Sequence, residues 1–325
     1  MGGSIQHSGF LLTPAQAGSI VCIVETMIRT FEELEQIAKS KPSRRLALAM
    51  AEETDALKAV IHAAEQGIVE PILTGKESSI REIAEKEGMD ISPYRIVSVD
   101  GEKQCAAKAV ELVREGEAEV LMKGRTPTAV IMRAILHRHS GLRGPGVLSH
   151  VSIIKIDKYP KFLIMSDPAI NIAPDLRKKT SIIGNTVYVA HKLGIERPKV
   201  AVIAAVEKVN PVAMPVTVDA ALLSKMSDRG QIPGCIVDGP FALDSALSRK
   251  SCETKGIQTE VGGDADILIM PDIEAANVFY KTLAHLTDAK IAAMTIGAKA
   301  PVVMSSRADS DTIKFLSILS AVSLV

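Results

Sequence analysis

The sequence predicts an α/β protein of two units, the first built on a parallel sheet covered by helices on both faces. Three observations carry this expectation. From residue 31 onward, apolar strand-like runs alternate with helix-like segments, which is the β-α-β pattern of a covered parallel sheet. At 325 residues the chain is long enough for two domains of ordinary size. Its densest Gly and Pro stretch, Gly141-Leu142-Arg143-Gly144-Pro145-Gly146, lies between two such runs and reads as a hinge.

Taken in order, residues 31–40 read as a helix, 45–50 as an apolar strand, and 54–66 as a helix with Ala and Leu on one face. Strands follow at 69–74, 94–99 and 119–122, with helices at 79–86 and 105–115 between them. Residues 129–136 form the next helix, Pro127 being tolerated in a first turn. Beyond the hinge, 148–156 and 161–165 are two strands joined by a short turn, and so antiparallel. Asp167-Pro168 ends the second of them. A helix starts at Asp175 and runs to 193; a strand at 198–205 and a helix at 218–226 follow. After the segments 236–247 and 265–270 comes a helix to 286, then a strand at 289–296. The last unit is a short β-branched run at 301–304, a polar cluster, and a helix in which Ile313, Leu316, Leu319 and Val322 recur at helical spacing.

Composition narrows the function classes. Hydrophobic residues make up 47% and aromatic residues 3%, with no Trp, so the core is built from Ala, Val, Ile, Leu and Met. Thirty-eight basic residues balance 38 acidic ones, which argues against nucleic acid or an anionic membrane as partner. Cys22, Cys105, Cys235 and Cys252 are far apart and read as reduced thiols of a cytoplasmic protein. His137 and His139 lie two apart on a helix, so they cannot form an i, i+4 metal pair, and no metal is expected. Residues 1–26 lack Lys and Arg and read as an extension outside the fold, neither signal peptide nor membrane span.

Two strand-to-helix turns hold the candidate chemistry. Lys123-Gly124-Arg125-Thr126 follows a strand end, where covered parallel sheets place ligands and where free amides suit an anion. It does not fit GxxxxGK[ST], and no GxGxxG occurs in the chain. The second turn is Ser305-Ser306-Arg307-Ala308-Asp309-Ser310-Asp311. Its Asp and Ser residues suit a helix cap, while Ser306 and Arg307 offer directed donors to a phosphate and an Asp could take a proton. A turn closed by Arg307 on Asp309 or Asp311 is the competing explanation. Ser306 as a nucleophile would need a base; no His is near in sequence, though one could approach in space, and no GxSxG surrounds it.

Four blocks now stand in one order: Met122-Lys123-Gly124-Arg125-Thr126, Asp238-Gly239-Pro240-Phe241-Ala242-Leu243-Asp244, Asp266-Ile267-Leu268-Ile269-Met270-Pro271-Asp272-Ile273-Glu274-Ala275-Ala276-Asn277, and 297–310. Together they resemble the phosphate acetyl/butyryl transferase family, and its butyryl branch in particular, from about residue 27 to the C-terminus. The resemblance implies an isocitrate/isopropylmalate dehydrogenase-like fold: two α/β/α domains with a cleft between them, residues 27–141 plus 293–325 and residues 142–292. It implies a homodimer, or a multiple of dimers, that moves an acyl group between coenzyme A and inorganic phosphate, both substrates, with no cofactor.

By the same resemblance, Ser306 and Arg307 bind the acyl phosphate, Asp311 or Asp309 takes the thiol proton, and Arg133 binds phosphate. Asp272, Glu274 and Asn277 become cleft candidates beside Lys123, Arg125 and Thr126. Lys281, on the same helical face as Glu274 and Asn277, reads as solvated. The relatives carry a longer Gly- and Cys-containing spacer after the Arg, and commonly Gly where this chain has Ala276, and a second phosphate-binding Arg finds no match. Direct thiolate attack is the mechanism implied. The alternatives are an acetyl-specific transferase, a metal- and NAD-dependent dehydrogenase of like architecture, or a non-catalytic CoA or acyl-phosphate binder.

Overall fold

The computed structural model describes residues 27–306 and 309–325; the extension expected at 1–26, and Arg307, lie outside the described residues. The first stretch carries α1 (Phe31–Ser40), β1 (Arg44–Ala49), α2 (Thr54–Glu65), β2 (Val69–Gly75), α3 (Glu77–Lys86), β3 (Arg95–Ser98), α4 (Glu102–Arg114), β4 (Val120–Lys123) and α5 (Thr128–Leu136). The second carries β5 (Ser149–Lys155), β6 (Leu163–Ser166), α6 (Leu176–Lys192), β7 (Lys199–Ile203), α7 (Val216–Asp228), β8 (Ile236–Phe241), α8 (Leu243–Leu247), α9 (Arg249–Lys255), β9 (Ile267–Ile269) and α10 (Ile273–Leu286). The chain then returns through β10 (Lys290–Ile296), β11 (Val302–Val303) and α11 (Asp311–Val322).

Local chemistry sets these ends. Thr30 caps α1 in a capping box with Glu33, Asp175 accepts from the Lys178 amide to start α6, and Asp272 does the same for Ala275 at α10. Helix α9 has no counterpart in the sequence expectation: it is only seven residues long, started by Ser248 and stopped by a left-handed Gly256, so its apolar period is too short to read.

All eleven strands of the described residues join one sheet, in the order β3-β2-β1-β4-β11-β10-β5-β6-β9-β7-β8. The flanks pair in parallel, while β10 is antiparallel to both β11 and β5, and β5 is antiparallel to β6. The flanks therefore run in opposite directions, and their carboxyl ends meet in the middle. Val303 at the end of β11 is level with Met294, which is level with Val151; from the other side, Met165 near the end of β6 is level with Ser152. Strand β10 lies across the boundary expected between residues 292 and 293, and all seven of its residues pair with β5.

The hinge stretch packs against this return. Arg143 bridges to Ala298, Leu142 is buried, and a Cβ on Gly144 would collide with the Gly297 carbonyl. The core is divided unevenly. One cluster of buried side chains runs through both flanks, from Leu46 and Leu57 to Ile183, Val200 and Ile267, and includes Leu316 and Leu319 of α11. Two further clusters are separate. One contains Leu121, Ile131 and Met304, the other Met165, Leu268 and Tyr280.

Candidate active site

Where those two separate cores leave a gap, a cavity of about 410 Å³ opens, with Met304 of one and Tyr280 of the other in its wall. His150 at the start of β5 lines it, as do Thr128 at the start of α5, Pro168, Ala169 and Ile170 after β6, Asn277 and Lys281 of α10, and Ser305, Ser306 and Asp309 after β11. The convergence of the two flanks' carboxyl ends explains why segments so distant in sequence meet here.

The loop after β11 is held from three sides. Asp309 is buried to 6% exposure, and its Oδ2 accepts the Ser306 amide at 2.7 Å. Lys314, one turn into α11 and 1% exposed, donates its ammonium to the Asp309 carbonyl and lies 3.4 Å from Glu53 Oε1. Ser310 caps α11 by accepting the Ile313 amide at 3.3 Å. Of the three capping candidates in the turn, the serine takes the cap, which leaves the Asp309 carboxylate at the cavity wall.

The opposite wall is organised by Asp167, 4% exposed. Its carboxylate accepts the amides of Ala169, Ile170 and Asn171 at 3.0, 3.0 and 3.2 Å and the Asn171 side chain at 2.6 Å. These bonds bend the chain after β6 into an apolar wall. Asn277 Nδ2 ties that wall to α10 through the Pro168 carbonyl at 3.0 Å. His150 is buried, its carbonyl accepts Ser166 Oγ at 2.8 Å, and its ring meets Tyr280 edge-on at 6.2 Å. Burial pushes its imidazole below the ordinary histidine value; Asp167 and Asp309 oppose this and Lys281 adds to it. Burial likewise raises the Tyr280 phenol, which stays protonated.

The cavity gathers some of the residues expected from sequence and leaves others elsewhere. Ser306, Asp309 and Asn277 line it, and Arg307 lies outside the described residues. Asp311 does not reach it. As the first residue of α11 it turns to a groove of about 500 Å³ beside α2, with Lys58 and His62, and its Oδ1 accepts the Thr312 amide at 2.6 Å. Arg133 lies in a third groove, between α4 and α5, with Lys103 and Arg114.

The first-turn block is tied to the neighbouring strands at several points. Lys123 is buried with its ammonium donating to the Gly124 carbonyl at 3.2 Å, and Thr126 Oγ1 donates to the Ala49 carbonyl at 3.3 Å. Gly124 passes so close to the end of β1 that a Cβ would strike the Met50 carbonyl. Arg125 is exposed. Asp272 spends its Oδ1 on the α10 cap and Glu274 is exposed; neither lines the cavity.

Sequence reasoning missed His150, Ser305, Tyr280 and the 168–170 wall, and read Lys281 as solvated. His150 carries no motif; only its place as a titratable residue in a strand whose first six residues are all buried, SHVSIIK, marks it. Two buried side-chain atoms of this group, His150 Nε2 and Ser305 Oγ, have no hydrogen-bond partner among the described residues. No group of His, Cys, Asp or Glu among the described residues could hold a metal ion, and none of their helices is long and apolar enough to cross a membrane.

Comparison with known proteins gives this geometry a context. The model of the phosphate acetyl/butaryl transferase family matches residues 29–108 and 102–322. A phosphate butyryltransferase of Clostridium acetobutylicum is 48% identical over 91% of this chain and 98% of its own length. A phosphate acetyltransferase of Thermotoga maritima is 46% identical over 90% of this chain and 98% of its own. A crystal structure of a branched-chain phosphotransacylase from Enterococcus faecalis superposes with a TM-score of 0.77 at 30% identity, covering 86% of this chain and 98% of that one.

Proposed function

The chain belongs to the phosphate acetyl/butaryl transferase family, and from that premise we propose how its cavity moves an acyl group between coenzyme A and inorganic phosphate, with butyryl as the preferred group. One observation carries the reading: Ser306 and Asp309 share a cavity with the apolar wall of Pro168, Ala169, Ile170 and Met304. In the direction of acyl-CoA formation, Asp309 takes the proton of the CoA thiol. The thiolate attacks the carbonyl carbon of the acyl phosphate and the C=O electron pair moves onto oxygen, where the Ser306 hydroxyl donates to it. Collapse re-forms the carbonyl and breaks the C–O bond to phosphate, which leaves and takes the proton from Asp309. Neither metal nor cofactor enters these steps.

Arg307 keeps its place on the phosphate in this proposal from the family resemblance alone. Asp311 gives way to Asp309 as base, and Arg133, Lys123, Arg125, Thr126, Asp272 and Glu274 are not carried into the chemistry. A cytoplasmic homo-oligomer is part of the same proposal. The acetyl-specific reading also has an observation behind it, since the Thermotoga relative is nearly as similar as the Clostridium one.

The deciding experiment is phosphate-dependent thiol release from acetyl-, propionyl-, butyryl- and isobutyryl-CoA. Butyryl-CoA should exceed acetyl-CoA in kcat/KM by about tenfold or more, since each buried methylene is worth roughly 1 to 3 kcal/mol. Turnover of acetyl-CoA alone would remove the butyryl preference, and no turnover at all would remove the transferase reading.

A further inference from the structure

We propose that Lys281 is the phosphate-binding cation that α10 brings to the cavity. The proposal deepens the transferase reading and rests on it. Among the described residues lining the cavity, the permanent charges are Lys281 and Asp309 only. A phosphate dianion beside a carboxylate needs a cation within reach, and Lys281 is the described residue that supplies one.

The side chain is placed for that use. No carboxylate of the described residues lies within 4.0 Å of its ammonium. By contrast Lys161, Lys179 and Lys199, in other parts of the same flank, each meet one within 3 Å. Lys281 is half-buried as a residue, and a bound anion would supply the close counter-charge that the described residues do not. Its direction is set by Tyr280, over whose ring the ammonium sits at 5.5 Å from the centroid. Tyr280 is itself fixed, 5% exposed and edge-on to His150. Burial, with a smaller contribution from this ammonium, lowers the His150 pKa, so the imidazole stays neutral and Lys281 is the cation among the described lining residues. The hydrogen bond from the Asn277 side-chain amide to the Pro168 carbonyl holds this face of α10 against the 168–170 wall.

The test compares the wild-type protein with Lys281→Met, which keeps the apolar stem over Tyr280, and Lys281→Arg, which keeps the charge. In the thiol-release assay, Lys281→Met should raise KM for phosphate by about 30-fold or more, as expected for losing one partner of a desolvated charge pair. KM for acyl-CoA should stay within about threefold, and Lys281→Arg should recover most of the loss. A phosphate KM within about threefold of wild type overturns the proposal; so does a rise confined to acyl-CoA, which would give the cation to CoA instead.

A second measurement needs no turnover. Inorganic phosphate alone should raise the melting temperature of the wild-type protein and, at the same concentration, raise that of Lys281→Met much less, while the two melt alike without phosphate. If no acyl-CoA is turned over, the transferase reading fails separately. The melting shift still decides Lys281: a shift as large in Lys281→Met as in the wild type, or none in the wild type, overturns it.

Discussion

Asp309 places its carboxylate over the Ser306 amide inside the cavity, while Asp311, two residues on, faces α2 across another groove. The difference arises from the helix start: Ser310 is the cap, so Asp311 is already on the helical spiral and turned away. Asp309→Asn should therefore lower kcat by about 10²- to 10⁴-fold, the usual weight of a general base, and Asp311→Asn should leave it within about threefold. Thiol-release rates of the two proteins check this, and the reverse pattern would return the base to Asp311. At this scale the Ser-Arg-x-Asp turn read equally well as a cap closed by an ion pair, and it was legible as chemistry only beside the other three blocks in their fixed order. Which Asp acts was not, because a two-residue step rotates a side chain by more than half a helical turn once the helix has begun. Lys281 shows the same limit from the other side. Spacing places it on a polar helix face, but whether that face meets water or a cavity depends on what packs opposite.

At the scale of elements, the segment after β6 depends on one carboxylate. Asp167 gathers three backbone amides and an amide side chain, and the wall it shapes supplies Pro168, Ala169 and Ile170 to the cavity. Asp167→Ala strands buried amides and should cost about 3 kcal/mol of unfolding free energy, since hydrogen bonds to a charged acceptor are worth roughly 1.5 to 3 kcal/mol each and part of the loss relaxes. Urea denaturation measures that cost, and KM for acyl-CoA should rise with it; a change below about 0.5 kcal/mol would show that the segment holds its shape unaided. The sequence reads Asp167-Pro168 only as a strand end. Nothing in the order of residues reveals that the carboxylate points back along the chain, since that requires the following amides to be folded around it. The long elements were legible for the opposite reason. Helices α2, α6 and α10 repeat an apolar face over three or more turns, whereas β11 is two residues long and α9 seven.

Across the whole molecule, one buried cluster passes through both flanks of the sheet, with β10 joining β11 to β5 at the middle. Helix α11 closes that cluster against α1, α2 and β10. The described residues should accordingly unfold as one unit. Leu319→Ala, at a fully buried position of α11, should destabilise the protein by about 2 to 5 kcal/mol and keep a single calorimetric transition. Two resolved transitions would show that the flanks hold together independently.

By itself the sequence determined the alternation of strands and helices, the antiparallel pair beyond the hinge, the turn that carries Ser306 and Asp309, and the family. Each of these depends on residues close together in the chain, or on blocks kept in a fixed order. The tertiary structure alone decided that the flanks run in opposite directions, so that the ends of β11 and β6 meet over β5 and β10. It alone set His150, Tyr280 and Lys281 opposite Asp309 and turned Asp311 and Arg133 outward. The physical reason is that a side chain's neighbours across a sheet are fixed by strand order and register, and neither is a local property of the chain.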